Sequence, residues 1–142
     1  MYLLDTNVVS EIRKIGSGKA DAGVAAWAEA TDPAVLYLSV ITVLELERGI
    51  LQKKRKDPKQ AAVLKRWLHE NVLPAFDGRI LPVTTEIALS CAALHIPNPQ
   101  PANDALIAAT ALQHKLIVVT RNTADFSHHS GLRLFNPFQS IK

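Results

Sequence analysis

Four acidic residues stand where an apolar run ends or a helical pattern begins: Asp5, Glu45, Asp104 and Asp125. Asp5 directly follows the run MYLL, and Glu45 lies early in the helical pattern after VLYLS. Asp104 opens a further helical pattern, and Asp125 falls in the turn TRNTADF after LIVVT. Carboxylates gathered in one cleft cannot all stay ionised unaided. Two unit charges about 5 Å apart repel by about 3 kcal/mol at an effective dielectric of about 20. Either some are protonated or a divalent cation compensates them. An all-oxygen donor set suits Mg2+ or Mn2+ and not Zn2+. The remaining metal-ligand types give no zinc pattern: the one cysteine is Cys91, and His69, His95 and His114 fall near helix ends. The adjacent pair His128-His129 reads as an exposed loop feature.

Each acid also has an ordinary structural use. Asp5 could cap the first helix in competition with Thr6 and Asn7. Thr42-Val43-Leu44-Glu45 reads as a capping box. Asp104 suits the positive end of its helix, and Asp125 could order the turn at 122–125. Helical spacing weighs against these uses. At 100° per residue Asp104 shares a face with Ala108 and Ala111, and Glu45 shares one with Thr42 and Gly49. Both acids are thereby aimed towards a common cleft. Glu47 projects 200° from Glu45, among Val43, Leu44, Ile50 and Leu51, which marks it as the rim of an apolar contact.

The elements that must position these residues alternate along the chain. Strands are expected at Met1–Leu4, Val35–Ser39, Arg79–Val83, Leu116–Thr120 and Leu132–Phe135. Helical patterns cover Val8–Lys14, Ala20–Ala30, Ile41–Arg55, Lys59–Val72, Glu86–His95 and Asp104–His114. The proline-rich stretch at 96–101 forms a stiff, extended approach to the last helix. Strands separated by helices imply an α/β fold with a mostly parallel central sheet flanked by helices, here as one domain over 1–142. Ligands of such sheets bind outside the C-terminal ends of the strands, where the four acids fall.

At 142 residues the chain is long enough for one sizeable core, and no apolar run reaches the ~18–20 residues of a membrane span. The start MYLLD carries an early carboxylate and no basic segment, so no signal peptide is expected, and a cytoplasmic location follows. A lone cysteine excludes an intrachain disulfide. The formal net charge of +3 leans towards a polyanionic partner. Lys53, Lys54, Arg55, Lys56 and Lys59 are concentrated within seven positions, followed by Lys65 and Arg66. They read either as a solvated interhelix turn or as a phosphate-contacting patch.

The segments LLDTNVVSE, SVITVLELERG, PANDALIAATAL and VVTRNTADF, in this order, make the chain resemble the PIN-domain family. The likeness is to its VapC-type toxins, the FitB-like branch included, and extends over essentially the whole chain. It implies a parallel α/β sandwich whose acids Asp5, Glu45, Asp104 and Asp125 bind Mg2+ or Mn2+ and cleave RNA. Thr6, Asn7, Thr120 and Asn122 match the polar residues around them. On this basis Asp5 and Asp104 take the principal ion, Glu45 binds through water or orients the nucleophile, and Asp125 serves a second ion. The basic stretch at 53–59 lies outside the family pattern. The resemblance further implies a homodimer, a cognate antitoxin encoded by an adjacent gene, and contact with DNA only through that antitoxin. An antitoxin groove is expected between the early helices, at Trp27, Ile50, Leu51, Leu64 and Trp67, with plain core packing as the alternative for the tryptophans. Two rival functions are an aspartate-nucleophile phosphatase, weakened by Asn7 where a second acid is usual, and a non-catalytic partner in a DNA-binding repressor complex.

Overall fold

The computed structural model describes residues 1–139. Five strands form one parallel sheet in the order β3-β2-β1-β4-β5. They are β1 (Tyr2–Leu4), β2 (Leu36–Ser39), β3 (Ile80–Leu81), β4 (Ile117–Val119) and β5 (Leu134–Phe135). The α/β class and parallel sheet are therefore as expected, with each strand a residue or more shorter than its apolar run. The central strand β1 pairs with β2 on one side and β4 on the other, so the direction of winding reverses between β1 and β4. In open parallel sheets such a reversal opens a crevice at the C-terminal edge.

Helices cover both faces. They are α1 (Thr6–Ile12), α2 (Ala22–Ala30), α3 (Val40–Lys54), α4 (Pro58–Trp67), α5 (Leu73–Ala75), α6 (Thr85–Leu94), α7 (Ala102–His114) and α8 (Thr123–Phe126). Between α4 and α5 the chain takes a π-helical turn at Leu68–Val72, so the helix expected to Val72 continues in altered form. The single-turn α8 lies in a segment read as a turn from sequence. Alternation along the strands builds the two cores. Leu4, Leu38 and Val119 pack with Val8, Val24, Leu46 and Leu68 on one face. Leu3 and Val118 pack with Ile107, Ala108 and Ala111 on the other. Small residues let α7 approach the sheet closely, and Ala105 and Ala109 on its outer side receive Ile87 and Cys91 of α6.

The C-terminal segment is tied to α2 through Asp21, whose Oδ2 accepts from Gly23 N at 2.9 Å and from Gln139 N at 3.0 Å. A Cβ at Gly23 would overlap the Pro137 carbonyl oxygen, so glycine is required there by close approach. Gly49, in mid-α3, is different: no atom lies within 4 Å of where its Cβ would sit. Gly23→Ala should destabilise by about 1–3 kcal/mol, as overpacking does. Gly49→Ala should stabilise by about 0.5–1 kcal/mol through helix propensity. Denaturant midpoints of the two variants should move in opposite directions.

Candidate active site

Asp5 leaves β1 at the winding reversal and is 6 % exposed. Its N–H donates to Val119 O at 2.9 Å, which extends the β1–β4 pairing up to the carboxylate itself. Its Oδ1 accepts from Thr6 N at 2.8 Å, and Asp5 stands at the N-cap of α1. The other oxygen reaches across to β4, accepting from Thr120 Oγ1 at 2.8 Å and from Asn7 Nδ2 at 3.2 Å. Asp5 thus both caps a helix and joins two strands. Thr120 is fully buried and also accepts from Asn122 N at 3.0 Å, while Asn7 Oδ1 accepts from Arg121 N at 3.0 Å. These bonds make Thr6, Asn7, Thr120 and Asn122 one frame around Asp5. Asn122 joins it through its main chain.

Glu45 comes from the other side. Its Oε1 accepts from Thr6 Oγ1 at 2.5 Å and its Oε2 from Asn103 Nδ2 at 3.2 Å, so it ties α1 to the start of α7. The capping box read at Thr42–Glu45 does not form. Ser39 is the N-cap of α3, with Oγ accepting from Ile41 N at 3.0 Å, one turn earlier than that reading required. Thr42 is buried within the helix and its hydroxyl has no hydrogen-bond partner. Asn103 was not singled out from sequence. Its only signal was adjacency to Asp104 in PANDAL, and its role depends on a contact with a residue 58 positions away.

Asp104 lies in the first turn of α7, half-buried, with no side-chain cap at that terminus. Its carboxyl is pushed up to about 6, first by burial and then by the charges of Asp5, Glu45 and Asp125. Burial, aided by Glu45, also raises Asp5 against the hydrogen bonds that favour its ionised form. No cationic side chain contributes to either shift. Asp104 is therefore in electrostatic reach of the other three acids, and Asp5 of Glu45. Asp125, in α8, is the exposed member. As the side chains stand, no three His, Cys, Asp or Glu among the described residues form a ready metal cage. Asp5 and Glu45 instead hold donors of their own chain. The oxygen-only donor set and its uncompensated negative charge fit a hard divalent cation that keeps much of its water.

This arrangement accompanies a clear kinship. A family model described as PIN domain matches residues 2–132. The chain belongs to the PIN-domain family. Within it, the protein is of the VapC/FitB-like toxin group. It is 39 % identical to Toxin FitB of Neisseria gonorrhoeae over 147 residues, covering 97 % of this chain and 99 % of that one. To VapC ribonuclease Y4jK of Sinorhizobium fredii it is 37 % identical over 144 residues, covering 98 % and 99 %. Among solved structures, that of FitAB bound to an IR36 DNA fragment superposes with TM-score 0.82 at 36 % identity, over 96 % of this chain and 95 % of that one. No helix of the described PIN domain is long and apolar enough to cross a membrane.

Other expected site features are dispersed. Trp27 lines a cavity of about 460 Å3 with Tyr2, Ile117 and Phe135, at the N-terminal strand edge away from the acids. Its ring meets Tyr2 edge-on at 5.4 Å. Ile50 and Leu51 border a small hollow of about 150 Å3 with Pro58 and Ala61. Leu64 and Trp67 line a groove beside Glu45, and Trp67 also walls an apolar cleft of about 280 Å3 with Val9, Ile12, Val72 and Phe76. Of the five residues assigned to one groove, Ile50, Leu64 and Trp67 do share the one beside Glu45, whereas Leu51 and Trp27 border other hollows. The histidine pair divides as well: His128 is exposed but His129 is buried, and burial lowers its imidazole pKa.

Without metal, Asp104 binds its proton more tightly when folded than when unfolded. Its contribution to stability is complete below the ordinary value of 3.8 and is lost as pH rises through about 6. The unfolding free energy of the wild type, less that of Asp104→Asn, should fall between about pH 4 and about pH 7. Denaturant titrations in chelator across this range measure it.

Proposed function

We propose that this chain is the toxin of a toxin–antitoxin pair, a Mg2+-dependent endoribonuclease that hydrolyses RNA through Asp5, Glu45, Asp104 and Asp125. The observation that carries the reading is the acid cluster at the winding reversal, where Asp104 is raised to about 6 with no cation of the chain to relieve it. The relatives named VapC ribonuclease and Toxin FitB support the substrate and the toxin role. Asp5 and Asp104 would hold the principal Mg2+ or Mn2+ ion, and Asp125, exposed, a second one arriving with substrate. When bound, such an ion lowers the pKa of water and offsets charge growing on phosphate oxygens.

The chain's own groups set the geometry. Thr120 and Asn7 hold Asp5, so that its oxygens keep one orientation at the strand end. Thr6 and Asn103 grip both oxygens of Glu45 and direct it into the cleft, where it orients the attacking water. The cognate antitoxin, encoded by an adjacent gene, is assigned to the apolar cleft walled by Val9, Ile12, Trp67 and Phe76. DNA contact then comes only through the antitoxin, and the toxin works in the cytoplasm as a single-domain homodimer.

RNA cleavage in millimolar Mg2+ should disappear in Asp5→Asn, with the fold and antitoxin affinity retained. Glu45→Gln should lose at least about a hundredfold in rate, the scale of a misplaced acid–base group. Glu47→Gln should keep most activity, because Glu47 Oε1 faces His69 Nε2 at 3.6 Å and not the acid cluster. Substantial cleavage by Glu45→Gln, compared at equal folded concentration, would remove it from the mechanism.

Binding of the ion also has a readout apart from turnover. Millimolar Mg2+ above about pH 6 should raise the melting temperature of the wild type, since a ligand of the native state stabilises it. Asp104→Asn should lose most of that increment. An unchanged melting temperature in the wild type argues against the four-acid site.

A further inference from the structure

Gly49 stands in the middle of α3, where glycine weakens a helix, yet nothing in the chain lies where its Cβ would go. Packing therefore does not require it. Its open side forms part of a groove of about 320 Å3 lined by Glu45, Thr6, Ser10 and Arg13 and by the apolar Leu46, Ile50, Leu64 and Trp67. Along α3, Gly49 lies about 6 Å and Lys53 about 12 Å beyond Glu45, turned from it by only about 40° and 80°. Lys56 follows in the next turn, its N–H bonded to Lys53 O at 3.0 Å. The Arg13 guanidinium sits over the Trp67 ring at 6.0 Å. Lys53 and Lys56 are exposed, and none of these three cations takes part in an ion pair among the described residues. The groove thus leads from the acids past the open backbone at Gly49 to an aromatic ring and a guanidinium, and two exposed lysines follow in sequence, Lys53 in the last turn of α3 and Lys56 just past its end.

We propose that this groove carries the RNA strand on one side of the scissile bond. The sugar–phosphate backbone passes over Gly49, a base lies against Trp67 and Arg13, and the following phosphates face Lys53 and Lys56. The inference rests on the ribonuclease reading and extends it to how substrate is held. Stacking on an aromatic ring combined with a cationic track binds single strands with little regard to sequence. Lys54 and Lys65 do not line this groove; they border the neighbouring hollow with Leu51 and Pro58, which meets it at Ile50, and carry equal charge on the same hairpin. They serve as the control.

Binding of a mixed-sequence, single-stranded RNA 12-mer would be measured in Mg2+ on an Asp104→Asn background, which prevents cleavage. Adding Trp27→Phe leaves Trp67 as the only tryptophan. RNA should quench its fluorescence. Replacing Lys53 and Lys56 together by Gln should flatten the slope of log K against log salt by about 1.4, because each single-strand phosphate contact contributes about 0.7. Replacing Lys54 and Lys65 should change it by less than half as much. Gly49→Leu should weaken binding at least tenfold with the fold intact, whereas Gly49→Ala should weaken it by less than threefold. In the otherwise unaltered enzyme, the Lys53/Lys56 pair of changes should raise KM several-fold and leave kcat within twofold.

Equal slope losses from both lysine pairs, an unquenched Trp67, or full RNA affinity in Gly49→Leu each overturn the track. So does quenching by a polyglutamate peptide but not by RNA, which would make the groove a protein site. If any of these occurs while the wild type still cleaves RNA, the ribonuclease reading survives alone. A wild type that neither binds nor cleaves RNA removes both.

Discussion

Everything at the functional edge follows from a parallel sheet in which β1 is flanked by β2 and β4. Parallel pairing brings the C-terminal ends of these strands to one side, and the winding reversal between β1 and β4 leaves a crevice there. Asp5 emerges at that point and is fixed by the bond from Thr120 at 2.8 Å. α3 and α7, which begin along the same edge, bring Glu45 and Asp104 alongside. The outcome is concentrated negative charge in a partly desolvated place. Hydrogen-bond donors favour the ionised form of Asp5, the Asp104 carboxyl is raised to about 6, and no lysine or arginine contributes to either shift.

The surroundings of the acids follow a different logic on each side of Trp67. Towards Glu45 the walls carry Ser10, Arg13 and an open stretch of backbone at Gly49, interleaved with Leu46, Ile50 and Leu64. On the far side Trp67 joins Val9, Ile12, Val72 and Phe76 in an apolar cleft. A single aromatic residue, half-buried, thereby borders both a mixed groove that begins at the acids and an apolar cleft behind it. Leu68 and Val72, at the two ends of the π-helical turn just beyond it, both enter the core.

Much of this was legible from residues alone. The strand cores were visible because Leu3, Leu4, Val118 and Val119 are apolar on both faces, which only a sheet covered on both sides requires. The inward face of α7 was visible from its alanines, since helical periodicity is a local property. The reading of Thr42–Glu45 as a capping box failed for an instructive reason. Both Ser39 and Thr42 are competent caps, and the choice depends on where β2 ends, which is set by pairing with β1 and β3. The histidine pair was likewise indivisible by sequence, since neighbouring residues of one type differ only in what the fold places over them.

By itself the sequence determined the donor chemistry and the local elements. Carboxylates at element boundaries, the absence of a cysteine set, and the alternation of apolar runs with helical patterns are properties of short stretches. Tertiary structure decided which groups meet. Asp5 and Thr120 are 115 positions apart, Thr6 and Glu45 are 39 apart, and Asn103 reaches Glu45 across 58. Those contacts exist only once the strand order is fixed. The same order sent Trp27 and Trp67 to different hollows, although both belong to amphipathic helices that look alike in sequence. Periodicity reports that a side chain is covered, whereas only long-range strand pairing specifies what covers it.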